Sequence, residues 1–270
     1  MESSKLGAAM KVGDLAAAME EIAPCRLAAS WDNVGLLVGD PESRLTRVLL
    51  AVDGTLPVIE EARLAGCEAL VAYHPLVFAP LKRLVAGTVA FEAARAGLSV
   101  YSPHTALDVA IGGTNDVLSD MIGLAERRPL SAGALPLGAG TADCGFGRVG
   151  VIQSELLGDV VARLKSALGV DHVLVSGPLD GIVRRVAVCV GSGGDLVGDA
   201  AAAGADLFVT GELRHHDALR ARAAGLAVVC TLHSVSERPA LAPLAAKLAA
   251  RLPGVVVSCS SRDRDPFEVC

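Results

Sequence analysis

The sequence predicts an α/β fold made of two internally repeated lobes, and three observations lead to this prediction. Apolar runs rich in Val and Leu alternate with Ala-rich stretches that suit helices. Continuous apolar strands separated by helices are typical of parallel sheets covered on both faces. The pattern occurs twice, and a nearly uncharged stretch rich in Gly, Ala and Pro separates the copies. We therefore predict a first lobe over residues 1–130, a linker over 131–147 and a second lobe over 148–270.

The individual elements are clearest in the first copy of the repeat. Residues 48–52 and 69–73 are predicted to be buried strands, and residues 56–65 form the predicted helix between them. The segment from Arg47 matches the segment from Arg185, and the offset between the two segments stays constant along their length. After a gap, the run 96–100 matches the run 224–228. Each copy therefore predicts a β-α-β unit followed by a third strand.

Composition limits the class of protein. The chain has 270 residues, a formal net charge of −6, 52% hydrophobic residues and only 3% aromatic residues. This balance predicts an ordinary globular protein without direct nucleic-acid binding, because phosphate backbones favour basic surfaces. No run reaches the roughly 18 apolar residues of a membrane span. The odd number of cysteines, seven, includes no Cys-x-x-Cys pair, which favours free thiols and a cytoplasmic location.

Both copies of the repeat end in a histidine followed four residues later by a carboxylate. The pairs are His104 with Asp108 and His233 with Glu237, and His74 follows the strand that ends at Tyr73. Ligands of open α/β sheets bind beyond the carboxyl ends of the strands, where all of these residues are expected. We therefore predict the functional site at the strand ends of the two lobes.

The residue types at these strand ends suit a metal ion. Imidazole and carboxylate are common ligands of zinc, manganese, iron and nickel. A histidine and an acid four residues apart share one face of a helix, so each pair could bind one ion. With His74 the candidate ligands are enough for one or two divalent ions per chain, as many hydrolases use. The alternative is that each histidine is a core or capping residue and each acid a charge at a helix N-terminus. The repetition favours the metal site.

Other features of the sequence leave their alternatives open. The run 191–194 follows a strand and has three glycines, so it is either a phosphate-binding loop or, more simply, a tight turn. His215 and His216 lie after the strand that matches the one before His74, either near the substrate or in the first turn of a helix. His172 lies away from any strand end and is interpreted as structural.

Several motifs in the right order make the chain resemble the NIF-three-like family, which is also labelled GTP cyclohydrolase I type-two-like. The resemblance runs from about Lys11 to Leu252. The motifs that carry it are SWDNVGLLVGD at 30–40, YHPL at 73–76, SPHTALD at 102–108, GGTND at 112–116, TGELRHH at 210–216 and HSVSE at 233–237.

The resemblance implies a dinuclear metal centre between two interlinked α/β lobes, in a homo-oligomer that is usually a ring-shaped hexamer. It implies that His74, Asp108, His233 and Glu237 are ligands and that His104 is a ligand or a close neighbour. The Trp-Asp-Asn turn would place Trp31, Asp32 and Asn33 near the site as substrate-binding residues. We add Glu212 and His216 to that group. Tyr73 stands where many bacterial members have histidine and resembles the eukaryotic variant, which predicts a weaker second ion.

Two functions follow as hypotheses. One is a metal-dependent hydrolase, cyclohydrolase-like by resemblance only, that acts on a nucleotide or a related small heterocycle. The other is a non-catalytic metal-binding regulator with a protein partner, since relatives are also described as interacting with transcription factors. A polar substrate shell around the metal would favour the first hypothesis.

Overall fold

The computed structural model describes residues 9–132 and 143–268. The helices are α1 (Val12–Ile22), α2 (Leu56–Leu64), α3 (Val89–Arg95), α4 (His104–Val109), α5 (Thr114–Ile122), α6 (Leu157–Leu168), α7 (Val197–Ala202), α8 (His215–Ala223), α9 (His233–Glu237) and α10 (Leu241–Arg251). The strands are β1 (Gly35–Val38), β2 (Arg47–Ala51), β3 (Ala69–Ala72), β4 (Ser99–Ser102), β5 (Ala125–Ser131), β6 (Phe146–Leu156), β7 (Leu174–Ser176), β8 (Ile182–Ser192), β9 (Leu207–Glu212), β10 (Ala227–Cys230) and β11 (Val256–Cys259). Strands and helices alternate as the sequence predicts, and the α/β class is confirmed.

A sheet of five strands organises the first unit, in the order β1-β4-β3-β2-β11. β2, β3, β4 and β11 are parallel, and β1 is antiparallel to β4. The residues of β3 are buried throughout, which explains the continuous apolar run in the sequence. Helix α2 buries Val58, Ile59 and Ala62 against this sheet and begins with Pro57 in its first turn. The strands and the helix predicted between them are confirmed.

The second unit contains a sheet in the order β5-β6-β8-β9-β10-β7. Its central strands β8, β9 and β10 are parallel, whereas β5, β6 and β7 join by antiparallel pairing. One apolar cluster includes Leu118 of α5, Leu157 and Leu164 of α6, and Leu207 of β9. Another contains Phe208, which is fully buried. The two clusters give this unit its own core.

The strand registers confirm the internal repeat. Val48 lies opposite Ala69 in the first unit, and Val186 lies opposite Leu207 in the second. Each residue of the second pair lies as many positions after its counterpart in the first pair as Arg185 lies after Arg47. The third strands agree as well, because Leu70 lies opposite Val100 and Phe208 lies opposite Val228. The two β-α-β-β cores are therefore equivalent in pairing as well as in order.

The two units are assembled from interleaved segments, so they differ from the predicted lobes. The first comprises residues 1–25, 32–104 and 242–263, and the second comprises 26–31, 105–241 and 264–270. β11 belongs to the first unit because it pairs in parallel with β2, with Val256 opposite Arg47. The backbone amide of Ala29 donates to the Thr105 hydroxyl (3.0 Å), which ties the short segment 26–31 to the second unit.

The predicted linker has a different role at its described ends. Ser131 lies opposite Phe146 in the antiparallel pair of β5 and β6, so this stretch connects two strands of the second unit. Residues 133–142 of the predicted linker lie outside the described residues. Within the described ranges, no helix is both long and apolar enough to span a membrane.

Candidate metal centre

In the first unit, two neighbouring parallel strands end in a paired acid and histidine. Asp53 follows β2 and His74 follows β3, and the amide of His74 donates to the carbonyl of Val52 (2.9 Å). Because parallel strands end at the same edge, the two side chains meet there. His74 Nδ1 lies 2.9 Å from Asp53 Oδ1, and both side chains are partly exposed.

His104 is fixed at the end of the next strand, β4, where helix α4 begins. Its φ of 29° is unusual for a residue other than glycine. Its amide donates to the carbonyl of Tyr73 (3.2 Å), and its Nδ1 lies 2.8 Å from Asp32 Oδ1. The Asp32 side chain is fully buried. The rings of Tyr73 and His74 lie near that of His104, with centroids 5.6 Å and 5.5 Å away, so the imidazole has a packed and defined position.

In the second unit, His233 lies between two carboxylates. Its Nδ1 is 3.0 Å from Glu212 Oε1 and its Nε2 is 3.2 Å from Glu237 Oε1. The spacing of four residues places His233 and Glu237 on one face of the short helix α9. Leu232, which precedes the helix, has φ 82° and ψ 150°, a backbone conformation that is otherwise nearly restricted to glycine. Such strain persists where the surrounding structure determines a side-chain position.

The charges around His233 stabilise its protonated form in the absence of an ion. The hydrogen bond with Glu237 raises the pKa of His233 to about 9, because this bond, the charge of Glu237 and the contact with Glu212 together outweigh the lowering effect of burial. Glu237 itself is 3% exposed. A divalent cation bound here would replace the proton on Nε2, which is how histidine sites couple metal binding to proton release.

A glycine lies beside these two donor atoms. A Cβ atom at Gly191 would lie 2.7 Å from Glu237 Oε1 and 3.2 Å from His233 Nε2. Gly191 also has a φ of 62°, which a side chain would disfavour. Imidazole nitrogen and carboxylate oxygen beside a backbone without a side chain are a donor set that fits a divalent transition metal.

Asp108 is positioned by the motif GGTND at residues 112–116. The Thr114 hydroxyl donates to Asp108 Oδ1, and the Asn115 side-chain amide donates to the carbonyl of Asp108 (3.0 Å). The Asn115 oxygen accepts from the amide of Val190 at the end of β8 (3.0 Å). The motif thus ties a candidate ligand to the strand ends of the second unit.

The structure brings together some of the sequence-predicted residues and adds one. His233 contacts Glu237 as the helical spacing predicts, and Asp32 and Glu212, predicted to bind substrate, contact histidines. Asn33 donates to the carbonyl of Val77 (2.5 Å), Trp31 is 63% exposed, and His216 packs against His215 with centroids 5.4 Å apart. The five ligand assignments and the substrate-binding roles of Trp31, Asp32, Asn33, Glu212 and His216 stay predictions.

Asp53 was not predicted from the sequence. The sequence feature that could have identified it is its position just after β2. This strand lies beside β3, which precedes His74, and both end at the edge where site residues were expected.

The duplicated α/β units, with histidines and acids at their strand ends, define the chain as an α/β protein with a candidate metal site. Residues 10–266 match the model of the family described as Duf34/NIF3 (NGG1p interacting factor 3). The chain belongs to this family, which confirms the resemblance seen in the sequence.

Named relatives cover nearly the whole chain. The Clostridium perfringens protein called GTP cyclohydrolase 1 type 2 homolog is 33% identical, over 96% of this chain and 99% of its own. The Saccharomyces cerevisiae protein called NGG1-interacting factor 3 is 34% identical, over 89% of this chain and 90% of its own. The crystal structure of the Staphylococcus aureus protein SA1388 is similar with a TM-score of 0.88 and 28% identity, over 97% of this chain and 100% of that chain.

Proposed function

We propose that the protein binds divalent metal ions at these strand ends and uses them to hydrolyse a nucleotide or a related small heterocycle. The observation that carries the proposal is the contact of His233 Nε2 with the buried carboxylate of Glu237, beside a glycine whose position has no room for a side chain. A buried carboxylate is costly unless it is paired or coordinates a metal. Here Glu237 pairs with His233, and a bound cation would take the place of the proton between them.

The proposed ligands are His74, His104, Asp108, His233 and Glu237, and among the described residues His74, His233 and Glu237 form a group that could hold one ion. Histidine with carboxylate favours zinc, manganese, iron or nickel, and the donors suffice for one or two ions per chain. A bound divalent ion would supply Lewis acidity, which polarises substrate oxygens and lowers the pKa of water.

The remaining site residues are proposed to orient the ligands and to contact substrate. Asp32 keeps His104 in position, and we assign it to that task because its side chain is fully buried. Trp31, Asn33, Glu212 and His216 are proposed to contact the substrate. The exposed indole of Trp31 presents an apolar face of the size that a heterocyclic base could cover.

The names of relatives support the hydrolase but leave the reaction open. Bacterial relatives carry the name GTP cyclohydrolase 1 type 2 homolog. Fold and name are analogies, whereas the reaction depends on the site. The test is turnover of a panel of nucleotides by protein reconstituted with zinc, manganese or iron. We expect turnover of at least one substrate by the wild type and none by the Glu237→Ala variant. Equal turnover by both proteins would contradict the proposal.

A second candidate is a non-catalytic metal-binding protein that regulates a protein partner. The observation in its favour is the name of the yeast relative, NGG1-interacting factor 3. Metal binding without turnover of any nucleotide in the panel would favour this candidate.

We also propose a closed homo-oligomer, a hexamer by family resemblance. The mean hydropathy is +0.49, and exposed apolar side chains such as Leu174 (71%) and Leu179 (55%) would gain from burial between copies. Light scattering should report a particle several times the 27.5 kDa of the chain, and a monomer at micromolar concentration would contradict the proposal.

A further inference from the structure

The three histidines of the candidate centre share one arrangement at the same ring nitrogen. His74 Nδ1 meets Asp53 at 2.9 Å, His104 Nδ1 meets Asp32 at 2.8 Å, and His233 Nδ1 meets Glu212 at 3.0 Å. We infer that Asp53, Asp32 and Glu212 are positioning residues that set the ring orientation of these histidines and, at His74 and His104, also the tautomer. The inference rests on the proposed metal site and names the residues on which its affinity depends.

The chemistry of the carboxylate determines which ring nitrogen carries the proton. An ionised carboxylate accepts hydrogen bonds and cannot donate them. At His74 and His104, Nδ1 therefore carries the hydrogen that it donates, and in the neutral ring the lone pair is then on Nε2. His233 has carboxylates at both ring nitrogens, so there Glu212 holds the ring orientation and does not by itself choose the tautomer. A histidine held in this way presents Nε2 to a cation, with its ring fixed and its basicity raised by the nearby charge. In His233 the same nitrogen, Nε2, already faces Glu237.

The pairing in the second unit is not a copy of the pairing in the first. The constant offset of the repeat places Gly191 where the first unit has Asp53, and Glu212 where it has His74. The first unit thus takes its acid from the end of β2 and its histidine from the end of β3. The second takes its acid from the end of β9, the equivalent of β3, and its histidine from α9. The pairings of His74 and His233 therefore use different repeat positions, although His233 begins α9 after β10 just as His104 begins α4 after β4.

The three carboxylates differ in burial, which predicts a graded effect. The Asp32 side chain is fully buried, Asp53 is 35% exposed and Glu212 is 52% exposed. Of the two partly exposed acids, Glu212 should matter less than Asp53 for zinc affinity, because Glu237 also orients His233. Asp53 is therefore the best single test, and Glu212 provides a variant whose exposed position leaves folding undisturbed.

The experiment compares full-length wild type with Asp53→Ala, Glu212→Ala and His74→Ala, and with Glu60→Ala as a control. Glu60 is a carboxylate of the first unit that pairs with Arg63 on the surface. Two measurements are made on each protein. Nuclear magnetic resonance of ¹⁵N-labelled histidine reports the tautomers in the stripped protein, at a pH high enough to leave the rings neutral. Calorimetric titration with zinc reports the affinity.

We expect the wild type to show hydrogen on Nδ1 of His74. Asp53→Ala should lose this preference, and Glu212→Ala should leave it unchanged. Zinc affinity should fall roughly 10- to 100-fold in Asp53→Ala, the usual range for partners behind a metal ligand, and less in Glu212→Ala. His74→Ala should fall further, and Glu60→Ala should match the wild type.

The outcomes separate this inference from the proposed function. A wild-type His74 with hydrogen on Nε2, or wild-type zinc affinity in both Asp53→Ala and Glu212→Ala, would overturn the inference. If the wild type failed to bind zinc, the proposed metal site would be wrong, and the tautomers would still test the pairing itself.

Discussion

The strand ends of the two units are equivalent in backbone and different in chemistry. In the first unit, the ends of β2 and β3 carry Asp53 and His74. In the second, the matching positions carry Gly191 and Glu212, and the histidine, His233, comes from helix α9. The two units therefore share their strand register and differ in the residue types at equivalent strand ends.

Gly191 shows why the second unit has a different residue type at the position equivalent to Asp53. At the equivalent position of the first unit, the carboxylate of Asp53 contacts His74, which follows the neighbouring strand β3. In the second unit the histidine approaches from a helix, and a side chain at 191 would occupy the space of its Nε2 and of Glu237. One repeat position thus has opposite requirements in the two units, an acid in one and no side chain in the other.

The surroundings of the donors differ as well. His74 and His104 pack against each other and against the ring of Tyr73. His233 has carboxylates at both of its ring nitrogens. The imidazole of the second unit therefore meets two carboxylates, whereas His74 and His104 each meet one and have aromatic neighbours.

The largest effect is expected from removing the buried acid of the second unit. Glu237→Ala should lose most of the bound metal, by more than the roughly 10- to 100-fold typical of partners behind a ligand, because it removes a proposed ligand itself. Elemental analysis of the purified protein checks this, with circular dichroism as the control for folding. Asp108→Ala should behave in the same way. Unchanged metal content in both variants would show that the strand ends do not bind metal.

Alanine at position 191 tests the requirement for an absent side chain. Gly191→Ala should lower the free energy of unfolding by about 1–2 kcal/mol through its positive φ and should also weaken metal binding. Gly204→Ala is the matched control, since Gly204 has φ 70° and open space at its Cβ position. Denaturant unfolding should show a comparable loss for this backbone strain in both variants, while metal titration should distinguish them. Equal metal affinity in the two would mean that Gly191 serves only its turn.

The Tyr73→His variant tests whether the tyrosine ring beside His74 and His104 limits metal binding. Tyr73 is 3% exposed, and a phenol with a pKa of about 10 in free solution is a poor ligand at neutral pH. We expect two unequal metal sites in the wild type and a higher occupancy of the weaker one in Tyr73→His. Calorimetric titration of stripped protein measures both sites. Two equal sites in the wild type, or no gain in the variant, would show that Tyr73 is not limiting.

The smallest effect concerns Glu61, an acid on helix α2 of the first unit. Burial raises the pKa of Glu61, but hydrogen bonds from Ser260 and Ser261 outweigh it and lower the pKa to about 2. Because this pKa is below the value of 4.5 for a free glutamate, the contribution of Glu61 to stability is present above pH 4.5 and is lost as the pH falls toward 2.

Unfolding measured against pH checks this prediction. Glu61→Gln should flatten the acid limb of the stability curve and should leave metal content unchanged. Loss of metal in Glu61→Gln would contradict the expectation that this acid affects stability without affecting metal binding.

Much of the architecture could be predicted from the sequence. The apolar strands β2 and β3, the helix between them and the constant offset of the repeat all follow from periodicity and self-similarity along the chain. The contact of His233 with Glu237 was predictable too, because helical spacing is a local property. The family followed from motifs, which are also local.

Only the tertiary structure decided how distant segments meet. It paired β11 with β2, although the two strands lie far apart in the sequence, and so placed the C-terminal strand in the first unit. It also brought Asp53 to His74 and Asp32 to His104. The physical reason is that periodicity determines which face of an element is buried, whereas the partner of a polar side chain depends on which strands lie side by side and where each one ends.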